Sequence, residues 1–204
     1  MDDHALLVSL NKKCLEIEQA IQKEQERLLK IAVAKEEIQG SKSELHYHIS
    51  MKSIPACQVL SLRRTVPTYY SEGDLWKELS AFAEKEEIEI SSDTFTIYHD
   101  TEYREQDVDM ELCAPVKKAG ENREPFCFRM TEAVPAMAST MVYGEFSNIK
   151  KAYLAFAKWL QKNSNYQMSA PVRQIVHRGP WNENAPAKYL TELQIPVEPL
   201  QNVL

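Results

Sequence analysis

The run Asp109-Met110-Glu111-Leu112-Cys113-Ala114-Pro115-Val116 has a second copy, Leu190-Thr191-Glu192-Leu193-Gln194-Ile195-Pro196-Val197, near the end of the chain. This echo constrains the fold more than any other feature. The two copies are offset by 81 residues; upstream, Ile97-Tyr98-His99-Asp100 falls on Ile175-Val176-His177-Arg178 at an offset of 78, and Ile54-Pro55-Ala56 on Val134-Pro135-Ala136 at 80. Apolar and proline positions that recur at a nearly fixed spacing indicate a duplicated structural unit. Two copies are too few for a solenoid. The expectation is one domain with approximate twofold symmetry and a cleft along the junction of its halves.

Each copy reads as ββαββ. In the first, residues 45–51 and 57–62 alternate as strands around an Ile54-Pro55 turn, and 74–86 is a helix with Leu75, Leu79 and Phe82 on one face. Residues 94–98 and 108–116 are β-branched and apolar strands. The second copy repeats the plan at 125–131, 136–143, a helix over 148–162 in which Tyr153 and Leu160 match Leu75 and Phe82, then 171–177 and 189–197. The charged segment 117–124, with Gly120, is the linker. The predicted class is α+β: a domain over 44–200 built from repeats 45–116 and 125–198.

Ahead of it, residues 6–38 carry a heptad, with Leu7, Cys14, Ile21, Leu28 and Lys35 on one seam position and Leu10, Ile17, Glu24, Ile31 and Ile38 on the other. A helix of about 33 residues would reach roughly 50 Å, too long for a small domain to cover. A dimerisation helix over 1–40, pairing as a coiled coil through residues 6–38, is expected; folding back on its own domain is the alternative, kept open by Glu24 and Lys35 on the seam. Gly40-Ser41-Lys42-Ser43 ends it.

Composition excludes several classes. With 44% hydrophobic and 26% charged residues the chain is an ordinary globular protein. No apolar run is long enough for a membrane span, and Met1-Asp2-Asp3-His4 is acidic where a secretory signal would be basic. A cytoplasmic protein without membrane partners is expected. Cys14, Cys57, Cys113 and Cys127 form no CxxC pair, so buried free thiols are expected in place of a zinc site or disulfide. A net charge of −6 argues against direct nucleic-acid binding and suits cationic ligands. Five glycines and no G-x-G-x-x-G, P-loop or G-x-S-x-G leave no cofactor to expect.

The candidate site residues are acids and rings. Glu111 and Glu192 occupy equivalent places in otherwise apolar strands, where a carboxylate is costly to bury unpaired; either both face solvent, or Glu192, and with it Glu111, projects into the cleft to attract a cation. Tyr69, Tyr70, Tyr98, Phe128, Tyr143 and Trp181 cluster near the predicted junction. Aromatic walls over an acid suit lipophilic cations, while core packing accounts for many such rings. His46 and His48 lack a third ligand, so no metal is expected. His99 and His177 are repeat equivalents.

The duplicated plan, with Asp109-x-Glu111-x-x-x-Pro115-Val116, Val142-Tyr143-Gly144, Pro171-x-Arg173 and Thr191-Glu192-Leu193-x-Ile195-Pro196-Val197, resembles the gyrase-inhibitor-like effector-binding domain over about residues 45–200. With a long helix directly before it, the chain resembles MerR-family multidrug-responsive transcription regulators whose DNA-binding region is absent. The resemblance implies a homodimer, DNA contact only through a missing N-terminal domain, and bulky aromatic or cationic ligands in the cleft, with Glu192 and Tyr143 matching its lining. One departure stands out. The family's usual Arg-Glu-x-Tyr is here Arg173-Gln174-Ile175-Val176, which shifts weight to Glu192, Glu111 and His177. Some stand-alone relatives of this fold are hydrolases using a Glu and a Tyr, so a hydrolase or drug-sequestering protein is the alternative to a ligand sensor.

Overall fold

The computed structural model describes residues 47–200 except 101 and 170, together with Leu10, Lys12, Lys13, Glu16, Ile17 and Ile31. Those six are helical, with a Lys13–Glu16 ion pair at 2.9 Å, and belong to a unit separate from residues 46–204. The remainder of the expected coiled coil and its dimer seam lie outside the described residues.

The second unit is a sheet carrying two helices. Its strands are β1 (Ser50–Ile54), β2 (Gln58–Val66), β3 (Phe95–Tyr98), β4 (Val108–Pro115), β5 (Phe126–Met130), β6 (Val134–Tyr143), β7 (Tyr166–Met168), β8 (Val172–Arg178) and β9 (Leu190–Pro199). Helix α1 spans Glu72–Lys85 and α2 Ile149–Lys162, each entered through a three-residue 3-10 turn, Tyr69–Ser71 and Phe146–Asn148. Acids in the first turn of α1, Glu72 and Asp74, and Lys85 in its last turn complement the helix dipole. Between β6 and α2 the chain turns at Gly144, whose φ of +85° a side chain would strain.

The strand order is β1-β6-β9-β8-β3-β4-β2-β5, all pairs antiparallel, with β7 added to the far end of β9. Read by repeat equivalents, the order is a palindrome about the β3/β8 seam, where Thr96 stands opposite its own equivalent, Gln174. The expected twofold relation is present, with one addition: the opening strands are exchanged. β1 lies on β6 of the second repeat, and β5 lies on β2 of the first.

Register corrects the alignment inferred from sequence in two places. Ile54 and Val134 are paired across β1 and β6, so they are neighbours and not repeat equivalents; in register, Arg129 is the equivalent of Lys52. In the helices the fully buried Leu79 and nearly buried Phe156 correspond, which matches Leu75 to Ala152 and Trp76 to Tyr153, one residue from the expected alignment.

Both helices lie on one face of the sheet. Leu75, Leu79 and Ala83 of α1 pack on Leu60, Leu62, Met110, Leu112 and Ala114, and Ala152 and Phe156 of α2 on Ala138, Val142, Leu193 and Ile195. A Leu such as Leu79, with no exposed surface, contributes roughly 2 kcal/mol by burial. Side chains alternate along a strand, so Ser61, Glu111 and Cys113, and likewise Ser139, Glu192 and Gln194, occupy the opposite face. There a smaller cluster of Val59, Phe95, Ile97 and Cys113 fills the centre. Cys57, Cys113 and Cys127 are free thiols, of which Cys113 is fully buried and the other two half-buried. Among the described residues no helix is long and apolar enough to cross a membrane, and no cluster of metal-ligating side chains occurs.

Candidate functional site: an aromatic cleft around Glu72

The floor of the cleft between the helices is the β3/β8 seam, and its acid comes from α1. Glu72 Oε1 accepts from Thr96 Oγ1 at 2.6 Å and from Trp76 Nε1 at 3.1 Å, while Oε2 accepts from the Tyr98 hydroxyl at 2.8 Å. All three donors are neutral, and among the described residues no Lys, Arg or His pairs with this carboxylate. Tyr98 leans on Tyr69 at 5.6 Å between ring centroids, and Tyr69 stacks on Tyr103 at 5.8 Å. From the other side, Tyr153 of α2 lies beside Gln174 and near enough to Tyr69 and Tyr98 to influence both. Burial, reinforced by the neighbouring Glu72 charge, holds the Tyr98 hydroxyl far above the usual phenol range, so it stays a donor; partial burial also raises the Tyr153 hydroxyl.

Repeat symmetry is broken here. The equivalent of Trp76 is Tyr153, so each helix presents a ring to the cleft, but the equivalent of Glu72 is Ile149. The acid that Thr96, Trp76 and Tyr98 hold therefore comes from the first repeat's side alone, and Gln174 on the seam is neutral.

The acids singled out from sequence sit elsewhere. The expectation that Glu192 and Glu111 are unpaired acids of the cleft is corrected: both lie on the helix-free face, buried and paired. Glu192, 7% exposed, meets Lys52 Nζ at 2.6 Å, Ser139 Oγ at 2.7 Å, Gln194 Nε2 at 3.1 Å and His177 Nε2 at 3.4 Å. Glu111, 4% exposed, takes a bidentate Arg129 at 2.7 and 2.8 Å and His99 Nε2 at 2.9 Å. Burial alone would raise both carboxyl pKa values, and it is outweighed by these donors and cations. Glu111 is held down at about 2 and Glu192 is lowered further. The stations are repeat equivalents, Glu–His with a basic residue from the exchanged strand; the serine differs, since Ser139 donates to Glu192 while its equivalent Ser61 donates to the Cys127 carbonyl.

Of the other residues named from sequence, Tyr98 and Tyr69 are brought together in the cleft. Tyr70 is 93% exposed beside it, and Phe128 packs on the first repeat's core. Tyr143 lies under the Arg178 guanidinium at 5.4 Å, and Trp181 is 62% exposed next to His177 on the rim of a separate depression. Sequence reasoning missed Glu72, Trp76, Tyr103 and Tyr153. The available signal was the spacing of Glu72 and Trp76 by one helical turn, immediately after the Tyr69-Tyr70 loop.

Residues 47–198 match the family described as the GyrI-like small molecule binding domain. Among solved structures, the EcmrR C-terminal domain is similar at 29% identity and a TM-score of 0.70, over 76% of this chain and 100% of that one. EcmrR in a cryo-EM structure of an EcmrR–DNA complex gives 27% identity and a TM-score of 0.71, over 94% of this chain and 72% of that one. A hydrolase from Listeria innocua shares the fold, at 12% identity and a TM-score of 0.58, over 80% of this chain and 98% of that one. No curated protein matches. With the family match running from Tyr47 ahead of the first strand to Glu198 in the last, and so spanning the whole duplicated sheet, the chain belongs to the family of GyrI-like small molecule binding domains.

Proposed function

We propose that this domain is the effector-binding part of a MerR-type transcription regulator, that it takes bulky aromatic cations into the cleft between α1 and α2, and that the preceding helix, paired with a second copy, carries the signal to a DNA-reading domain. The observation that carries the reading is Glu72: an acid held by three neutral hydrogen bonds, with no cation partner among the described residues, beside the ring cluster of Tyr98, Tyr69 and Tyr153. Ring faces and a carboxylate both favour positive charge, and the walls take apolar bulk. The likeness to EcmrR, a protein seen on DNA, supports the regulatory context. Signalling requires that the ligand bind one arrangement of the domain better than another, since equal affinity shifts nothing. Calorimetric titration with rhodamine 6G tests the site: Glu72→Gln weakens binding about tenfold, and equal affinity for both proteins overturns the assignment.

One observation favours a second reading. The Tyr98 hydroxyl at 2.8 Å from Glu72 is the acid-and-phenol pair that a hydrolase of this fold would use. Against it, the Tyr98 proton is already donated to Glu72 Oε2, so the phenol is not free to donate to a substrate or a water. Appearance of hydrolysis product from a bound ester or strained-ring probe, abolished by Tyr98→Phe, would establish the enzymatic reading.

A further inference from the structure

On the end of the β3/β8 pair away from the cleft acid, a depression of about 450 Å3 is lined by Ser92, Asp93, Thr94, His177, Trp181 and Asn182. That volume is within the range of small-ligand pockets. Its chemistry is uneven in a way that specifies an occupant. Asp93 contributes a carboxylate with no ion pair among the described residues. Trp181 presents an indole that is 62% exposed. The ring is set in place by the chain beneath it, since a Cβ on Gly179 would come within 3.0 Å of it. Asn182 fixes this loop by donating to the His177 carbonyl at 3.1 Å and accepting from the Gly179 N–H at 2.8 Å.

His177 is the buried side of the site. Its Nε2 faces Glu192 at 3.4 Å, and Glu192 is anchored in turn by Lys52 and Ser139. With Nε2 turned to the carboxylate, the Nδ1 edge is the one left for a molecule in the depression. The first repeat does not reproduce this: there His99 sits closer to its acid at 2.9 Å, its side chain is 18% exposed against 34% for His177, and Arg129 occupies both oxygens of Glu111. The opening is thus particular to the second repeat.

We propose that this depression is a second binding site, independent of the cleft, for a small arylalkylammonium ion: the ring stacks on Trp181, and the ammonium is shared between Asp93 and the Nδ1 edge of His177. Asp93, His177 and the indole of Trp181 line the same depression, and a carboxylate beside an aromatic ring favours a compact cation over a neutral or anionic molecule.

The test uses the full chain labelled with 15N at tryptophan, titrated with phenethylammonium and, in parallel, with the uncharged 2-phenylethanol. Trp76 reports the cleft and Trp181 the depression, so the two sites are read separately. The expected result is a saturable shift of the Trp181 indole signal with phenethylammonium that is at least about threefold weaker in Asp93→Asn, weaker for the alcohol, and unchanged in Glu72→Gln. A Trp181 signal that does not move, or that saturates equally in Asp93→Asn, overturns the proposal. Movement of Trp76 alone overturns it while leaving the cleft reading in place, and movement of Trp181 alone supports it without bearing on the cleft, which the rhodamine 6G titration tests.

Discussion

Lys52, on the first repeat's opening strand, places its Nζ 2.6 Å from Oε1 of Glu192, on the second repeat's closing strand. The reciprocal pair is Arg129 and Glu111, with the cation from the second repeat and the acid from the first. Each half therefore neutralises the other's buried charge. This is a consequence of the strand exchange, because β1 and β5 bring the cations.

Removing one of these cations leaves a buried carboxylate short of its charge partner. Lys52→Met is expected to cost about 3 kcal/mol, read as a lower urea midpoint at neutral pH. The double variant Lys52→Met with Glu192→Gln should recover part of that loss, because it removes the stranded charge as well. A double variant less stable than the single one would mean that the ion pair is not what Glu192 contributes.

Acid should dissolve the same locks. Glu111 has a folded-state pKa near 2 against an ordinary value of 4.5, so its contribution is complete above about pH 4.5 and is lost as pH falls toward 2. The shift corresponds to something on the order of 3 kcal/mol for this residue, and Glu192 acts in the same direction. Chemical unfolding at pH 7 and pH 3 checks it. The stability difference between the two pH values should shrink in Glu111→Gln; an undiminished difference refutes the assignment.

In the cleft, Tyr98→Phe deletes one of the three donors to Glu72 and is expected to cost about 1 kcal/mol of stability. It leaves the ring wall intact. Affinity for an aromatic cation should therefore hold within about threefold, in contrast to the loss in Glu72→Gln, and fluorescence titration of both variants separates the roles of wall and acid.

Gln174→Glu would place a second carboxylate on the seam opposite Thr96, which already serves Glu72. Like charges so close disfavour joint ionisation, so a proton should be taken up near neutral pH in the free protein and released when a cation binds. Proton release measured by calorimetry in buffers of different ionisation enthalpy checks this. Its absence would show that positions 72 and 174 do not share one pocket.

Much of the architecture was legible because it rests on patterns of period two and of fixed offset. The acids Glu111 and Glu192, with His99 and His177, were correctly paired as equivalents, since the strand patterns survive intact on either side of the three-residue insertion that moves the offset from 78 to 81. What failed was the face. The sequence places Glu192 in an apolar strand but does not say which side of the sheet holds the helices, and the sign of the inference depended on that. The cations were also invisible, because Lys52 and Arg129 reach their acids only through exchanged strands, and an exchange leaves the pattern of each strand unchanged. Glu72 was overlooked for another reason: an acid in a helix's first turn has an ordinary explanation in the helix dipole, and its partners Thr96 and Tyr98 are 24 and 26 residues away.

The traded opening strands make this one chain the covalent version of a domain-swapped homodimer. A single half, made alone, would carry a strand with no bed to lie in and an uncovered acid with no counterion, and the simplest remedy for both is another copy of itself. Joining two such halves in one chain lets the equivalent helix positions differ, as Glu72 and Ile149 do.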